Sequence, residues 1–228
     1  LPKRFNNNVI LFVSDFHAPY HHHKTLDFLS RIKDQFRPDR IVHGGDHADC
    51  YSVSDYPKSL EHPDTWTTEL KGIRKFTKDL AEIFPDIEML ESNHDSRLYK
   101  KARVAGVPRE CLVKYLDMIN APPGWRLHSQ LDLTVDADRS SWKFVHTINN
   151  GAFGAAKNLG VSVCSGHHHS KSGFQSFNNG KKVIYGVDSG SFISDKGHPY
   201  SYNKLDIGRP IRSCVIIIEG KPQMIMME

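Results

Sequence analysis

Short apolar runs recur along the chain, at Val9 to Val13, Ile41-Val42, Ile87 to Leu90, Trp142 to Val145 and Val161 to Cys164. Runs this short, rich in β-branched and aromatic residues, predict buried strands rather than helices. Between the first three the period changes. Leu26, Leu29, Ile32 and Phe36 recur at three- and four-residue steps up to Pro38, and Leu70, Ile73, Phe76, Leu80 and Ile83 do so up to Pro85. Each series predicts an amphipathic helix stopped by proline. Strand, helix, strand, helix, strand implies parallel pairing through right-handed crossovers.

The last third reads differently. Gly173 to Phe177, Lys182 to Val187, Ile211 to Ile218 and Gln223 to Met227 are predicted strands, separated by turn signals such as Asn178-Asn179-Gly180 and Glu219-Gly220-Lys221-Pro222, which favour antiparallel pairing. Residues 96–130 interrupt the scheme. They predict a helical segment from Pro108, with Cys111, Leu112, Tyr115, Leu116 and Ile119 on one face, ended by Pro122-Pro123-Gly124. No repeat and no Pro-, Gly- or Ser-rich linker divides the 228 residues. The expectation is one α/β domain over 1–228, two mixed sheets flanked by helices, with a cap-like helical insertion at about 96–130.

Composition changes this picture in two places. The insertion holds Arg97, Lys100, Lys101, Arg103, Arg109, Lys114 and Arg126 against Glu110 and Asp117, a local excess of five positive charges where the whole chain carries +4. Histidine is the other anomaly: 14 residues of the commonest metal-ligating side chain. The four cysteines lie far apart with no C-x-x-C pair, so a zinc knot and a disulfide scaffold are excluded and a reducing compartment is expected. No apolar run approaches a membrane span and no signal-like segment is visible. A cytoplasmic protein is expected, in the host cytoplasm if phage-encoded, with no membrane partner.

The residues just beyond each predicted strand are more informative. Asp15 and His17 come after the first, Gly44-Gly45-Asp46 after the second, Asn93-His94-Asp95 after the third, His146 after the fourth and Gly166-His167-His168-His169 after the fifth. In open α/β sheets ligands bind beyond the carboxyl ends of the strands, so these segments should converge. Asp15, His17, Asp46, Asn93, His146, His167 and His169 mix carboxylate, amide and imidazole donors without thiolate, a set suited to Mn, Fe or Zn. Seven donors exceed the needs of one ion and fit two ions sharing one carboxylate, a recurring arrangement for displacement at phosphorus.

In order and type these segments resemble the calcineurin-like metallophosphoesterases. The family's D-x-H, G-D, G-N-H-[DE], lone H and G-H-x-H are matched by Asp15-Phe16-His17, Gly45-Asp46, Asn93-His94-Asp95, His146 and Gly166-His167-His168-His169. Asp188-Ser189-Gly190-Ser191 is similar to the family's late N-x-G-S turn. The resemblance implies a four-layer αββα sandwich and a dinuclear phosphoesterase, in which a metal-bridging hydroxide attacks phosphorus. It implies Asp15, His17 and His169 on one ion, Asn93, His146 and His167 on the other, and Asp46 on both. Mn²⁺ heads the candidate metals, with Fe, Zn, Ni, Co or Mg as alternatives. His94 is implied as the acid that protonates the leaving oxygen, with Asp95 orienting its ring.

The chain departs from that pattern at Ser92, where the family has Gly, and it lacks the arginines of the protein Ser/Thr phosphatase branch. Asp49 reads as a supporting carboxylate or a helix cap. His47 and Arg97 are candidate substrate contacts, and Tyr51, Tyr56, Tyr99 and Trp125 are candidate stacking surfaces for bases. His43 reads as a hydrogen-bonded core residue, His21-His22-His23 as solvated, His168 as turned from the metals, and His62, His128 and His198 as without a role. The expected substrate is a phosphate ester, a nucleotide or nucleic-acid phosphodiester first. The alternative is a phosphomonoester of a small metabolite, nucleotide or phosphoprotein; a metal-binding scaffold without catalysis is a third reading.

Overall fold

The computed structural model describes residues 9–55, 58, 65–135, 141–195 and 208–228; Tyr56, His62 and His198 lie outside them. In chain order the elements are β1 (Val9–Val13), α1 (Thr25–Phe36), β2 (Arg40–His43), α2 (Trp66–Ile83), β3 (Ile87–Leu90), α3 (Arg97–Val104), α4 (Tyr115–Met118) and β4 (Trp125–His128). Then come β5 (Leu131–Thr134), β6 (Ser141–Val145), α5 (Gly151–Leu159), β7 (Ser162–Ser165), β8 (Ser172–Asn178), β9 (Val183–Ser189), β10 (Ser213–Ile218) and β11 (Lys221–Met226). Two sheets form, ordered β11-β10-β1-β2-β3-β4 and β5-β6-β7-β9-β8. In the first, β1 to β4 run parallel while β10 and β11 are antiparallel; in the second, β6, β7 and β9 are parallel with antiparallel edges.

The two-residue period of a strand explains how β1 holds the layers together. Val9, Leu11 and Val13 face α1 and α2, where Phe28, Leu29, Ile73, Phe76 and Leu80 meet them. Ile10 and Phe12 point the other way, into a core shared with Trp142, Phe144, Cys164 and Val187 of the second sheet. Phe12 stacks on Phe144 at 5.7 Å between centroids. A strand buried on both faces must be apolar throughout, which is why the run is continuous. A third core lies between the second sheet and α5, from Val145, Ala152, Ala155, Ala156, Val163 and Ile184. The result is the expected αββα sandwich. No helix among the described residues is long and apolar enough to cross a membrane.

The helix ends follow local chemistry. Thr65 and Thr68 form a reciprocal capping box at the start of α2. Arg37 closes α1 in the left-handed region just before Pro38.

The insertion differs from its expected form. Its helical content is α3, a 3-10 turn at Arg109–Cys111 and the single turn α4, because Leu112 and Lys114 are extended (ψ 136° and 150°). That extended step turns Tyr115, Met118 and Ile119 into the core, and tertiary burial overrides the local helical period. Its last residues are not helical: Trp125–His128 is β4, parallel to β3.

Candidate metal centre

The carboxyl ends of β1, β2 and β3 lie side by side in one sheet, and those of β6 and β7 in the other. The two rows are joined across the sheets. His146 donates from Nδ1 to the Gly44 carbonyl at 2.8 Å, and the His167 backbone N–H donates to the Asp15 carboxylate at 2.9 Å. Gly166 permits that approach, since a Cβ there would lie 2.0 Å from Ser14 Oγ and 2.6 Å from Asp15 Oδ2.

Six of the seven expected ligands, Asp46 counted once, sort into two groups within 4.8 Å: Asp15, His17, Asp46 and His169, and Asp46, His146 and His167; His17, Asp49 and His94 make a further group beside them. Asn93 joins the second, with Oδ1 2.7 Å from His146 Nε2. In the first group His17 Nε2 is 2.9 Å from His169 Nε2, and His169 Nε2 is 3.2 Å from Asp15 Oδ1. Asp46 Oδ1 accepts the His94 backbone N–H at 3.2 Å. Among the described residues its Oδ2 is buried without a hydrogen-bond partner, 3.6 Å from His17 Nε2 and 3.4 Å from His146 Nε2. His168 lies in neither group.

These residues fit a pair of cations. A buried carboxylate oxygen without a donor costs energy unless something positive completes it. His17 and His146 each direct Nδ1 outward to an oxygen, Asp49 Oδ2 at 3.0 Å and the Gly44 carbonyl at 2.8 Å, and turn Nε2 inward. Such outer contacts fix ring orientation in metal-ligating histidines. Burial pushes the His17 imidazole down, but hydrogen bonds to Asp15 and Asp49 reverse this and carry it up to about 10. Burial likewise works against the Asp15 and Asp46 carboxylates. Contacts with His169 and His17 hold Asp15 well below the usual carboxylate range, and His94, His146 and His17 do the same for Asp46. The pocket therefore favours positive charge, which a proton or a divalent ion can supply.

The backbone is strained at the same place. Asp15, His17, Asp46 and His167 adopt φ of 58°, 51°, 53° and 71°, a region uncommon for residues other than glycine, at about 1–3 kcal/mol each. Strain at four expected ligands is compensated by the sandwich that encloses them.

Several neighbours differ from expectation. Asp95 does not orient His94. Its carboxylate accepts from Ala48 N at 3.0 Å, His47 N at 3.4 Å, Ser92 Oγ at 2.7 Å and the Tyr115 hydroxyl. It thereby ties the loop carrying Asp46 to the turn after β3, and Ser92 is part of that tie. The His94 ring is instead held by the Asp49 carbonyl, which accepts from Nδ1 at 2.9 Å, with Arg97 Nη2 at 3.0 Å from Nε2. Arg97 Nη1 donates to the same carbonyl at 2.9 Å. Asp49 is thus the supporting carboxylate of the two readings, serving His17 through its side chain and His94 through its backbone. Burial pushes His94 down to about 4.

His47 is not a substrate contact. It is fully buried and belongs to a directed chain of hydrogen bonds. Gly45 N–H donates to His43 Nδ1 at 3.0 Å, so neutral His43 carries its proton on Nε2 and donates to His47 Nδ1 at 3.3 Å. His47 then donates from Nε2 to Thr77 Oγ1 at 2.8 Å, and Thr77 donates to the Ile73 carbonyl at 2.9 Å. Each ring has one possible tautomer, and the chain links α2 to the loop carrying Asp46. His43 is the hydrogen-bonded core residue expected of it. His21 is not solvated: its ring packs on Phe76 at 4.1 Å and Nδ1 is buried without a partner among the described residues. His128 has a partner in Glu88 at 2.5 Å. Tyr51 and Trp125 are buried in the core and unavailable for stacking.

No protein-family model matches the sequence, and no curated protein aligns with it. Solved structures superpose on the chain at low identity. One superposes with a TM-score of 0.52 at 10% identity, covering 97% of this chain and all of its own. A Vps29 single mutant from Entamoeba histolytica superposes at 0.44 and 13% identity, covering 96% and 99%. The Pseudomonas putida nuclease MPE does so at 0.39 and 13%, covering 96% and 87%.

Proposed function

We propose that this chain, which has the sandwich fold of the calcineurin-like metallophosphoesterases, is a dinuclear metal-dependent phosphoesterase acting on a nucleotide or nucleic-acid phosphodiester. The observation that carries the reading is the partition of the donors into two groups around the buried Asp46 Oδ2, which has no hydrogen-bond partner among the described residues. Asp15, His17 and His169 would hold one ion, Asn93, His146 and His167 the other, and Asp46 both. Two divalent ions, Mn²⁺ foremost, would supply Lewis acidity toward the phosphoryl oxygens and lower the pKa of water at neutral pH.

The protein's own share is positioning and proton transfer. Asp49 keeps the His17 ring aimed inward, and Gly44 does so for His146. His94 Nε2 lies 3.9 Å from Asp46 Oδ2, at the edge of both ligand groups, where a leaving oxygen would emerge. Burial keeps the free imidazole neutral, and a phosphate anion opposite Nε2 favours the imidazolium. In that form Arg97 Nη2 has left Nε2 for the phosphoryl oxygens, Nδ1–H stays on the Asp49 carbonyl, and the Nε2–H, taken up from water, is delivered to the leaving oxygen. Arg97, anchored on Asp49, places its guanidinium beside His94 for the phosphoryl oxygens, the planar fork suited to that contact.

Protein loaded with Mn²⁺ should hydrolyse bis(p-nitrophenyl) phosphate and single-stranded DNA faster than p-nitrophenyl phosphate, with all activity lost to a chelator. Monoester turnover without diester or DNA turnover would overturn the substrate class in favour of a phosphomonoesterase. Inactivity toward every ester and metal would leave a metal-binding scaffold.

A further inference from the structure

A groove of about 1440 Å³ begins at the metal centre, with Asn93 and His146 forming its inner end. Sites for drug-sized ligands span roughly 300–1,000 Å³, so this one is larger than a single phosphomonoester requires. One wall is the segment from α3 to α4. That segment lines the groove with the apolar side chains of Tyr99, Leu112 and Val113 and with the cations Arg103, Arg109 and Lys114. Those three cations are exposed, and among the described residues none makes an ion pair. Val113 is 62% exposed, apolar surface in the open beside positive charge.

We infer that this groove holds a single-stranded oligonucleotide, with successive backbone phosphates on Arg103, Arg109 and Lys114 and base faces against the apolar wall. Alternating cations and apolar surface suit unpaired bases, whose faces a duplex would hide. A phosphopeptide would present one phosphate, satisfied at the Asn93 and His146 end, and would leave three separate cations without a counterpart. Glu110 and Asp117 share the wall, so attraction rests on those individual contacts and not on a broad positive field. The proposal rests on the phosphoesterase reading and names the part of the substrate beyond the scissile phosphate.

The test uses the full chain and a fluorescein-labelled ten-nucleotide single strand. With a chelator present, fluorescence anisotropy measures binding without cleavage, for wild type and for the triple variant Arg103→Glu, Arg109→Glu, Lys114→Glu. All three positions are exposed and outside the ligand set. Loss of three single-strand phosphate contacts should lower the slope of log K against log salt by about 2 and weaken binding at least tenfold at low salt. With Mn²⁺, KM for the strand should rise while turnover of bis(p-nitrophenyl) phosphate stays within about twofold of wild type. Equal strand binding by both proteins would overturn the groove assignment, as would tighter, variant-sensitive binding of a phosphopeptide. Variant-sensitive strand binding in a protein that hydrolyses no ester would support the groove and refute the phosphoesterase reading instead.

Discussion

His17 Nδ1 lies 3.0 Å from Asp49 Oδ2, both side chains fully buried, while the other nitrogen of the same ring faces Asp15, Asp46 and His169. A carboxylate behind a histidine fixes its tautomer and strengthens it as a donor. Asp49→Asn should therefore weaken metal binding about 10–100-fold without removing a ligand. Isothermal titration with Mn²⁺ measures this, and unchanged affinity would show that Asp49 serves only the fold.

The proposed function gives His94 the part of a proton donor. His94→Ala should lower kcat by roughly 10²–10⁴ on an alkyl phosphodiester and much less on a nitrophenyl ester, whose leaving group needs no proton. Metal content, read by elemental analysis, should stay at the wild-type value. Equal losses on both esters would contradict the acid role.

The directed chain from Thr77 through His47 and His43 to Gly45 makes a prediction about stability. His47→Phe preserves a ring of similar shape but leaves the His43 Nε2–H without its acceptor and takes from Thr77 Oγ1 its donor, while the Thr77 bond to the Ile73 carbonyl remains. Urea unfolding should show a loss of about 1–3 kcal/mol, the cost of a buried polar group left unsatisfied. His47→Gln, which offers both an acceptor and a donor, should recover part of it. No loss in the Phe variant would mean that water replaces the ring.

His21 sets a pH dependence. Burial pushes it down to about 4, against about 6.5 in the unfolded chain. The folded pKa is the lower one, so the unfolded chain binds more protons below pH 6.5. Its contribution to stability is complete above that value and is lost as pH falls toward 4. Between pH 7.5 and 5.5 this amounts to about 1 kcal/mol. His21→Phe, which retains packing on Phe76, should show a correspondingly shallower fall in the urea midpoint. Parallel profiles would indicate that His21 titrates as if exposed.

Much of this was legible in the sequence. A strand such as β1 that feeds two cores has to be a continuous apolar run, and parallel strands have to present their carboxyl ends together, so the convergence of the candidate ligands could be read from the residues at the end of each run. The unread parts share a physical reason, which is contact between residues distant in the chain. Asp95 adjoins His94 in sequence, yet its carboxylate turns to Ala48, while Asp49, 45 residues earlier, holds the ring. α5 carries no stripe of large apolar residues because it packs closely on β9: a Cβ on Gly186 would meet Phe153 Cα at 2.2 Å. His21 sits in a polar run that reads as solvated, because only the fold brings Phe76 beneath it. β4 comes after a proline-rich stop and is too short to separate from the insertion before it.

The claim that organises the site is that Asp46 is shared between two ions. Metal content after loading with Mn²⁺ and exhaustive dialysis tests it directly, measured per chain by elemental analysis in wild type and in Asp46→Asn. Two ions per wild-type chain, falling below one in the variant together with loss of diester hydrolysis, is the predicted result. One ion or none in the wild type, or two retained by the variant, would contradict it.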